Sequence, residues 1–250
     1  MKLLLDIGNS RAKWGVARVD GVAGPWTLSY GPGGIAAALE GVWHGQPPEA
    51  VIAASVAASE ALSEVALWSR GSWGCELAVV RSLGACGGVI NAYPEPVALG
   101  ADRWANLLGL RALTQGHAAV VADIGTAITV DGLTAGGRHV GGAILAGAGA
   151  AGQGLRQAAP ALAVPGAGTE LPAVSTAAAM GAGLTIGAAG TVDRVAREVA
   201  RALDDGPLFY LTGGGGADLH GHLAPHWHYD AGLTLRGLAA AWEAGCAGSL

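Results

Sequence analysis

The sequence predicts an α/β protein built from two related halves, with a ligand cleft expected between them. Three observations carry this. Strand-like and helix-like patterns alternate along the chain. One supersecondary unit occurs twice, about half the chain apart, and two related halves facing each other suggest a cleft. Apolar residues make up 51% of the 250 residues and charged residues 13%, which supports a sizeable core.

Residues 2–5 form a short apolar strand that enters the turn Asp6-Ile7-Gly8-Asn9-Ser10. Residues 13–19 read as its hairpin partner, closed by Asp20-Gly21. Residues 34–42 and 60–68 read as helices, with strands at 50–54 and 76–80. The unit then recurs: an apolar run at 118–122, Asp123-Ile124-Gly125-Thr126-Ala127, a strand at 128–130, and Asp131-Gly132. Aligned, DIGNSRAKWGVARVDG and DIGTAITVDG share strand, Asp-x-Gly turn, strand and Asp-Gly turn, the second copy being shorter. A solenoid would show many short periods instead. Residues 176–199 read as two helices broken near 187–190, residues 208–212 as a strand ending in Gly213–Gly216, and residues 233–244 as a closing helix. The expected halves are 1–115, holding the first turn, and 116–250, holding the second turn and the glycine run.

Composition narrows the function. Net charge is −5, and Lys2 and Lys13 are the two lysines, so no basic stripe exists and nucleic acid is not an expected ligand. Cys75, Cys86 and Cys246 form no C-x-x-C and no paired framework, and are read as thiols of a reducing cytoplasm. The leading apolar run is too short for a signal peptide, and no membrane span is expected. P-loop, nucleophile-elbow and H-E-x-x-H patterns are missing from the sequence.

The two Asp-x-Gly turns suit phosphate binding. Glycine lets backbone N–H groups approach a phosphate chain, and Asn9, Ser10 and Thr126 add polar donors. Asp6 and Asp123 can sit near phosphates only by holding a cation. Either turn alone is ordinary turn chemistry; two at matching places in a repeat are not. The segment 100–106, GADRWAN, follows the stiff Tyr93-Pro94-Glu95-Pro96. Asp102 there can accept a proton from an alcohol and Arg103 can hold an anion, while the plain alternative is a helix-capping Asp beside a solvated Arg. The run Gly213–Gly216 can lie against an adenine or be a flexible loop. Residues 147–152 match G-x-G-x-x-G, with Glu170 beyond, but lack a clear βαβ context. His220, His222, His226 and His228 could bind zinc, although Pro225 argues for a surface turn.

Taken in order, DIGNSRAKWG at 6–15, NAYPEP at 91–96, GADRWAN at 100–106, DIGTAITVD at 123–131, GGAI at 141–144, STAAAMGAG at 175–183 and TGG at 212–214 resemble type III pantothenate kinases, the family that includes the Bvg accessory factor. The resemblance implies a duplicated actin-like ATPase (ASKHA, RNase H-like) fold. It implies transfer of the ATP γ-phosphoryl group to pantothenate, opening coenzyme A synthesis, in a cytoplasmic homodimer that needs Mg2+ and a monovalent cation, K+ or NH4+. Carried onto this chain, Asp6, Ile7, Gly8, Asn9, Ser10, Arg11, Ala12, Lys13 and Thr126 would bind ATP. Asp102 would be the base. Tyr93, Gly100, Ala101, Asp102, Arg103 and Thr176 would hold pantothenate, and Asp123 the monovalent cation. The chain departs from the family pattern at Ala146, where Pro is usual, at Ser175, where Asn is common, and at Ser10, where Thr is frequent. Two alternatives stay open: a non-catalytic transcriptional accessory factor of the same fold, and an actin-like kinase of another small hydroxy acid.

Overall fold

The computed structural model describes residues 1–8, 11–31, 33–55, 59–162, 164–166, 168–203 and 206–250. In chain order the elements are β1 (Lys2–Ile7), β2 (Arg11–Arg18), β3 (Gly21–Ser29), α1 (Gly34–Val42), β4 (Ala50–Ser55), α2 (Ser59–Trp73), β5 (Leu77–Val80), β6 (Ala85–Cys86) and β7 (Val89–Ile90). A 3-10 turn at Pro96–Ala98 leads to α3 (Ala101–Thr114). Then follow β8 (Ala119–Ile124), β9 (Ala127–Leu133), β10 (His139–Ala146), α4 (Ala148–Ala158), α5 (Thr176–Ala200), β11 (Leu208–Thr212), α6 (Gly216–His220), β12 (Trp227–Tyr229), α7 (Leu233–Glu243) and β13 (Ala247–Ser249).

Two units result: Met1–Gly116 with Gly137–His139 and Gly232–Leu250, and His117–Gly136 with Val140–Ala231. The sheet of the first runs β13-β5-β4-β1-β2-β3. β1 pairs antiparallel with β2 and parallel with β4, and β4 pairs parallel with β5. Its central strand is buried on both faces, which is why it reads as the unbroken run Leu3-Leu4-Leu5. Leu3, Leu5, Ile7, Val51 and Ala53 form one face of the core with Ile35 and Leu39 of α1 and Val65 of α2. On α3 and α7 the helix backbones approach closely. A Cβ on Gly237 would lie 1.7 Å from the Ala105 carbonyl oxygen, and one on Gly109 would lie 2.4 Å from that of Leu233. Thr234 Oγ1 donates to Asn106 Oδ1 at 2.8 Å inside this contact.

The sheet of the second unit runs β10-β9-β8-β11-β12. β8 is antiparallel to β9 and parallel to β11, which is parallel to β12. Both sheets therefore place the opening strand of the repeat between its hairpin partner and two successive parallel strands. Ala189, Val192 and Ala196 of α5 cover Val120, Ala122, Ile124 and Val130.

Three expectations are corrected. Residues 176–199 form one helix, Thr176–Ala200. Gly183, Gly187 and Gly190 face open space, and a cost of about 1 kcal/mol per glycine does not break a helix held by a buried face. A strand the sequence reading lacked, β3, lies at the sheet edge, where Pro25 is tolerated. Cys86 and Cys246 are joined by a disulfide across 160 residues, because the return of α7 and β13 to the first unit brings them together; Cys75 is free. No helix among the described residues is long and apolar enough to cross a membrane.

Candidate functional site

The first turn links β1 to β2. Asp6 pairs with Lys13 across the ladder and Ile7 with Ala12, so Asp6 and Lys13 share one face, with Lys13 Nζ 4.0 Å from Asp6 Oδ2. Within the turn the Gly8 N–H donates to the Arg11 carbonyl at 3.0 Å. Asn9 and Ser10 lie outside the described residues. Two side chains brace the turn from behind: the Tyr30 hydroxyl donates to the Gly8 carbonyl, and Ser55 Oγ donates to the Ile7 carbonyl at 3.4 Å. Burial, and then the negative charge of Glu64, push the Tyr30 hydroxyl above the usual tyrosine pKa, so it stays a donor at neutral pH.

The segment 100–106 starts α3, with Gly100 at the N-cap and Asp102 in the first turn, where a carboxylate is favoured by the helix dipole. Asp102 Oδ1 accepts from the Arg103 N–H at 2.7 Å, and a Cβ on Gly100 would lie 2.6 Å from that oxygen. Arg103 is not a solvated surface residue, being 4% exposed. Its Nη1 donates to the Tyr93 hydroxyl at 3.0 Å, and its guanidinium carbon lies 5.7 Å from the Tyr93 ring centroid. The Tyr93 ring stacks on buried His139, with centroids 6.0 Å apart and planes at 17°. Tyr93, Asp102 and Arg103 thus form one fixed group.

A cavity of about 320 Å³ opens beside it, lined by Ser55, Leu62, Arg81, Ser82, Gly100 and Ala101 among others. It lies past the carboxyl ends of the parallel strands β4 and β5, the usual ligand position in such sheets. Ser55 borders this cavity and bonds the first turn, so it connects the two motifs of the first unit. Ser82, buried at the rim, donates to the Leu99 carbonyl at 2.8 Å and fixes the approach to α3.

The second turn, one residue shorter than the first, also joins two antiparallel strands and has its glycine N–H bonded to a carbonyl within the turn. The Gly125 N–H donates to the Ala127 carbonyl at 3.0 Å, and Asp123 pairs with Thr129 across the ladder. Thr126 is exposed at the tip. Glycines press on this turn from two sides. The Gly147 N–H donates to the Thr126 carbonyl at 3.0 Å, and the Gly215 N–H to the Ile124 carbonyl at 2.9 Å. Gly213, at φ +97°, leaves no room for a Cβ beside Ile124 and Asp123. The glycine run is therefore packed onto the turn. Thr176 is exposed at the start of α5, whose N-cap Ser175 Oγ accepts from the Ala178 N–H at 3.2 Å. Ala146 ends β10 directly before Gly147, whose N–H bonds the Thr126 carbonyl, so the departure from Pro falls beside the turn.

Sequence reasoning missed Tyr30, Ser55, Ser82 and His139. Tyr30 follows the unrecognised β3, and Ser55 looks like an ordinary strand end. Ser82 and His139 act on the site through partners 17 or more residues away.

A family model described as type III pantothenate kinase matches residues 2–198. The type III pantothenate kinase of Halorhodospira halophila is 39% identical over 253 residues, covering 95% of this chain and 96% of that protein. Among solved structures, a Baf family transcriptional activator from Campylobacter jejuni matches with a TM-score of 0.62 at 24% identity, over 96% of this chain and 98% of that one. The activator of the 2-hydroxyisocaproyl-CoA dehydratase from Clostridium difficile matches with a TM-score of 0.54 at 12% identity, over 98% and 95%. At these identities the structures show the fold alone, the α/β arrangement described above. With the family model spanning most of the chain and a relative 39% identical across nearly all of it, the chain belongs to the type III pantothenate kinase family.

Proposed function

We propose that the start of α3 and the two Asp-x-Gly turns carry the family reaction in this chain. That reaction is the ATP-dependent phosphorylation of pantothenate to 4'-phosphopantothenate, the first step of coenzyme A biosynthesis. In our reading Asp6, Ile7, Gly8, Asn9, Ser10, Arg11, Ala12 and Lys13 hold ATP from the first turn and Thr126 from the second. Tyr93, Gly100, Ala101, Arg103 and Thr176 hold pantothenate. Asp102 takes the proton of the primary hydroxyl as its oxygen bonds to the γ-phosphorus; the bond from that phosphorus to the bridging oxygen breaks, and ADP leaves with the electron pair. Phosphoryl transfer asks mostly for positioning and charge neutralisation. A buried Arg103 locked onto Tyr93 supplies the first, and the family's Mg2+ supplies part of the second when bound. Asp123 is read as the ligand of K+ or NH4+.

The observation that supports the reading is Ser55, whose hydroxyl bonds the Ile7 carbonyl at the first turn and which lines one cavity with Gly100 and Ala101 at the start of α3. The planar guanidinium fork of Arg103 suits the pantothenate carboxylate. Replacing Asp102 by Asn should lower kcat by about 10²–10⁴-fold with ATP binding little changed. Near wild-type turnover in that variant removes the base.

We further read the protein as a cytoplasmic homodimer with no nucleic-acid partner. The second unit exposes Leu155 of α4 and Ile186 of the adjoining α5, apolar positions suited to contact with a second copy.

A further inference from the structure

We propose that Thr212 is a second protein ligand of the monovalent cation, through its hydroxyl oxygen; this rests on the reading of Asp123 as the cation's carboxylate. Thr212 ends β11 and is paired with Asp123 of β8 in a parallel ladder. Paired residues on neighbouring strands stand on the same face of a sheet. The alternate residues confirm which face. Leu211 and Ala122, also paired, point into the core under α5, so Thr212 and Asp123 point away from it.

The carboxylate leans toward the end of β11: Asp123 Oδ1 lies 2.5 Å from where a Cβ on Gly213 would be. Thr212 is 0% exposed, and its Oγ1 has no hydrogen-bond partner among the described residues. A buried hydroxyl without a partner is destabilising, and valine would fill the same space without that cost. A hydroxyl in such a place is explained by a ligand that wants its lone pairs.

A monovalent cation fits. One carboxylate balances its charge, and neutral oxygens replace the rest of its hydration shell, as carbonyl oxygens do for K+ in channels. A hydroxyl offers two lone pairs and can turn its hydrogen aside. An anion does not fit, since Asp123 would repel it. Gly213, with its positive φ and no side chain, lets the chain turn away directly after Thr212 and leaves the space above Asp123 unfilled by a Cβ.

The test is thermal unfolding of the full chain with Mg2+ and a non-hydrolysable ATP analogue, titrating KCl against choline chloride at constant ionic strength. A cation that binds the folded state raises Tm in proportion to the logarithm of its concentration over its Kd. Wild type should show a K+-specific rise. Thr212→Val should need at least about 10-fold more K+ for the same rise, while being no less stable than wild type in choline chloride. Thr212→Ser should keep the wild-type midpoint, and Asp123→Asn should lose the rise. A Thr212→Val midpoint equal to wild type, with Asp123→Asn still defective, overturns the role of Thr212 and leaves Asp123 in place. Equal destabilisation of Thr212→Val with and without K+ assigns the hydroxyl to the fold and also overturns it. If Asp123→Asn responds like wild type, the Asp123 reading fails and the proposal falls with it.

Discussion

Replacing Gly147 by Ala should damage ATP use without unfolding the protein, whereas replacing Gly149, two residues on, should not. Gly147 caps α4 at φ −66°, so alanine meets no backbone strain there. The obstacle is space. An added Cβ would lie 2.2 Å from the Gly125 carbonyl oxygen and 2.8 Å from that of Thr126. Real Cβ atoms keep at least 3.0 Å from such an oxygen, so the second turn must retreat by about 0.8 Å. The contact is backbone on backbone, and no flexible side chain can swing aside. A shift of about 1 Å in a positioning group costs on the order of 10²-fold in rate. We therefore expect kcat/KM for ATP to fall roughly 10–100-fold, equivalent to about 1.4–2.7 kcal/mol of transition-state stabilisation. Overpacking should also cost about 1–3 kcal/mol of stability.

Gly149 supplies the control. A Cβ there meets nothing within 4 Å, and its place within α4 favours alanine by up to about 1 kcal/mol. The assay is steady-state ADP release at saturating pantothenate with ATP varied, alongside thermal unfolding. If Gly147→Ala keeps kcat/KM within two-fold of wild type, or if Gly149→Ala falls as far, steric control of the second turn is wrong.

Two further predictions concern assembly and redox state. Ile186→Asp places a charge on the exposed apolar face of α5 and should halve the mass seen by light scattering, with unchanged circular dichroism; a wild type that is already monomeric, or a variant that stays dimeric, rejects the homodimer surface. Cys86→Ser removes a link across 160 residues. It should cost about 2–5 kcal/mol, a Tm drop of roughly 5–15 °C, and wild type under strong reductant should converge on it. A Tm moved by neither change shows that the thiols are reduced in the native protein, as a reducing cytoplasm would keep them.

How much of this was legible depended on whether the signal was local. β1 announces itself because a strand buried on both faces is a continuous apolar run, and each Asp-x-Gly turn is readable because its glycine bonds a carbonyl only two or three residues on. α7 reads as a helix, but nothing in it says that it packs beside α3 of the first unit; that follows from Gly109 and Gly237 meeting backbone 124 and 132 residues away. Cys246 follows α7, so the disulfide was hidden for the same reason. Arg103 illustrates the middle case. Its residue type beside Asp102 suggested anion binding, while its burial and its bond to Tyr93 came only with the fold.

The 43 glycines show why composition could not separate function from drift. Gly183, Gly187 and Gly190 face open space in α5, so alanine would fit and their presence carries no message. Gly147, Gly213 and Gly215 stand against residues 124–126, two of them donating hydrogen bonds to that backbone. The second turn is thus shaped by three main-chain segments packed on one another. Main chain held this way has no rotamers to lose when a ligand binds, so its N–H groups can meet a phosphate at little entropic cost. The first turn is braced differently, by the Tyr30 hydroxyl and Ser55, side chains whose donors come from strand ends. Two turns of one sequence pattern are therefore held by unlike means, and the one packed against neighbouring main chain should be intolerant of a methyl group added to the segment that braces it.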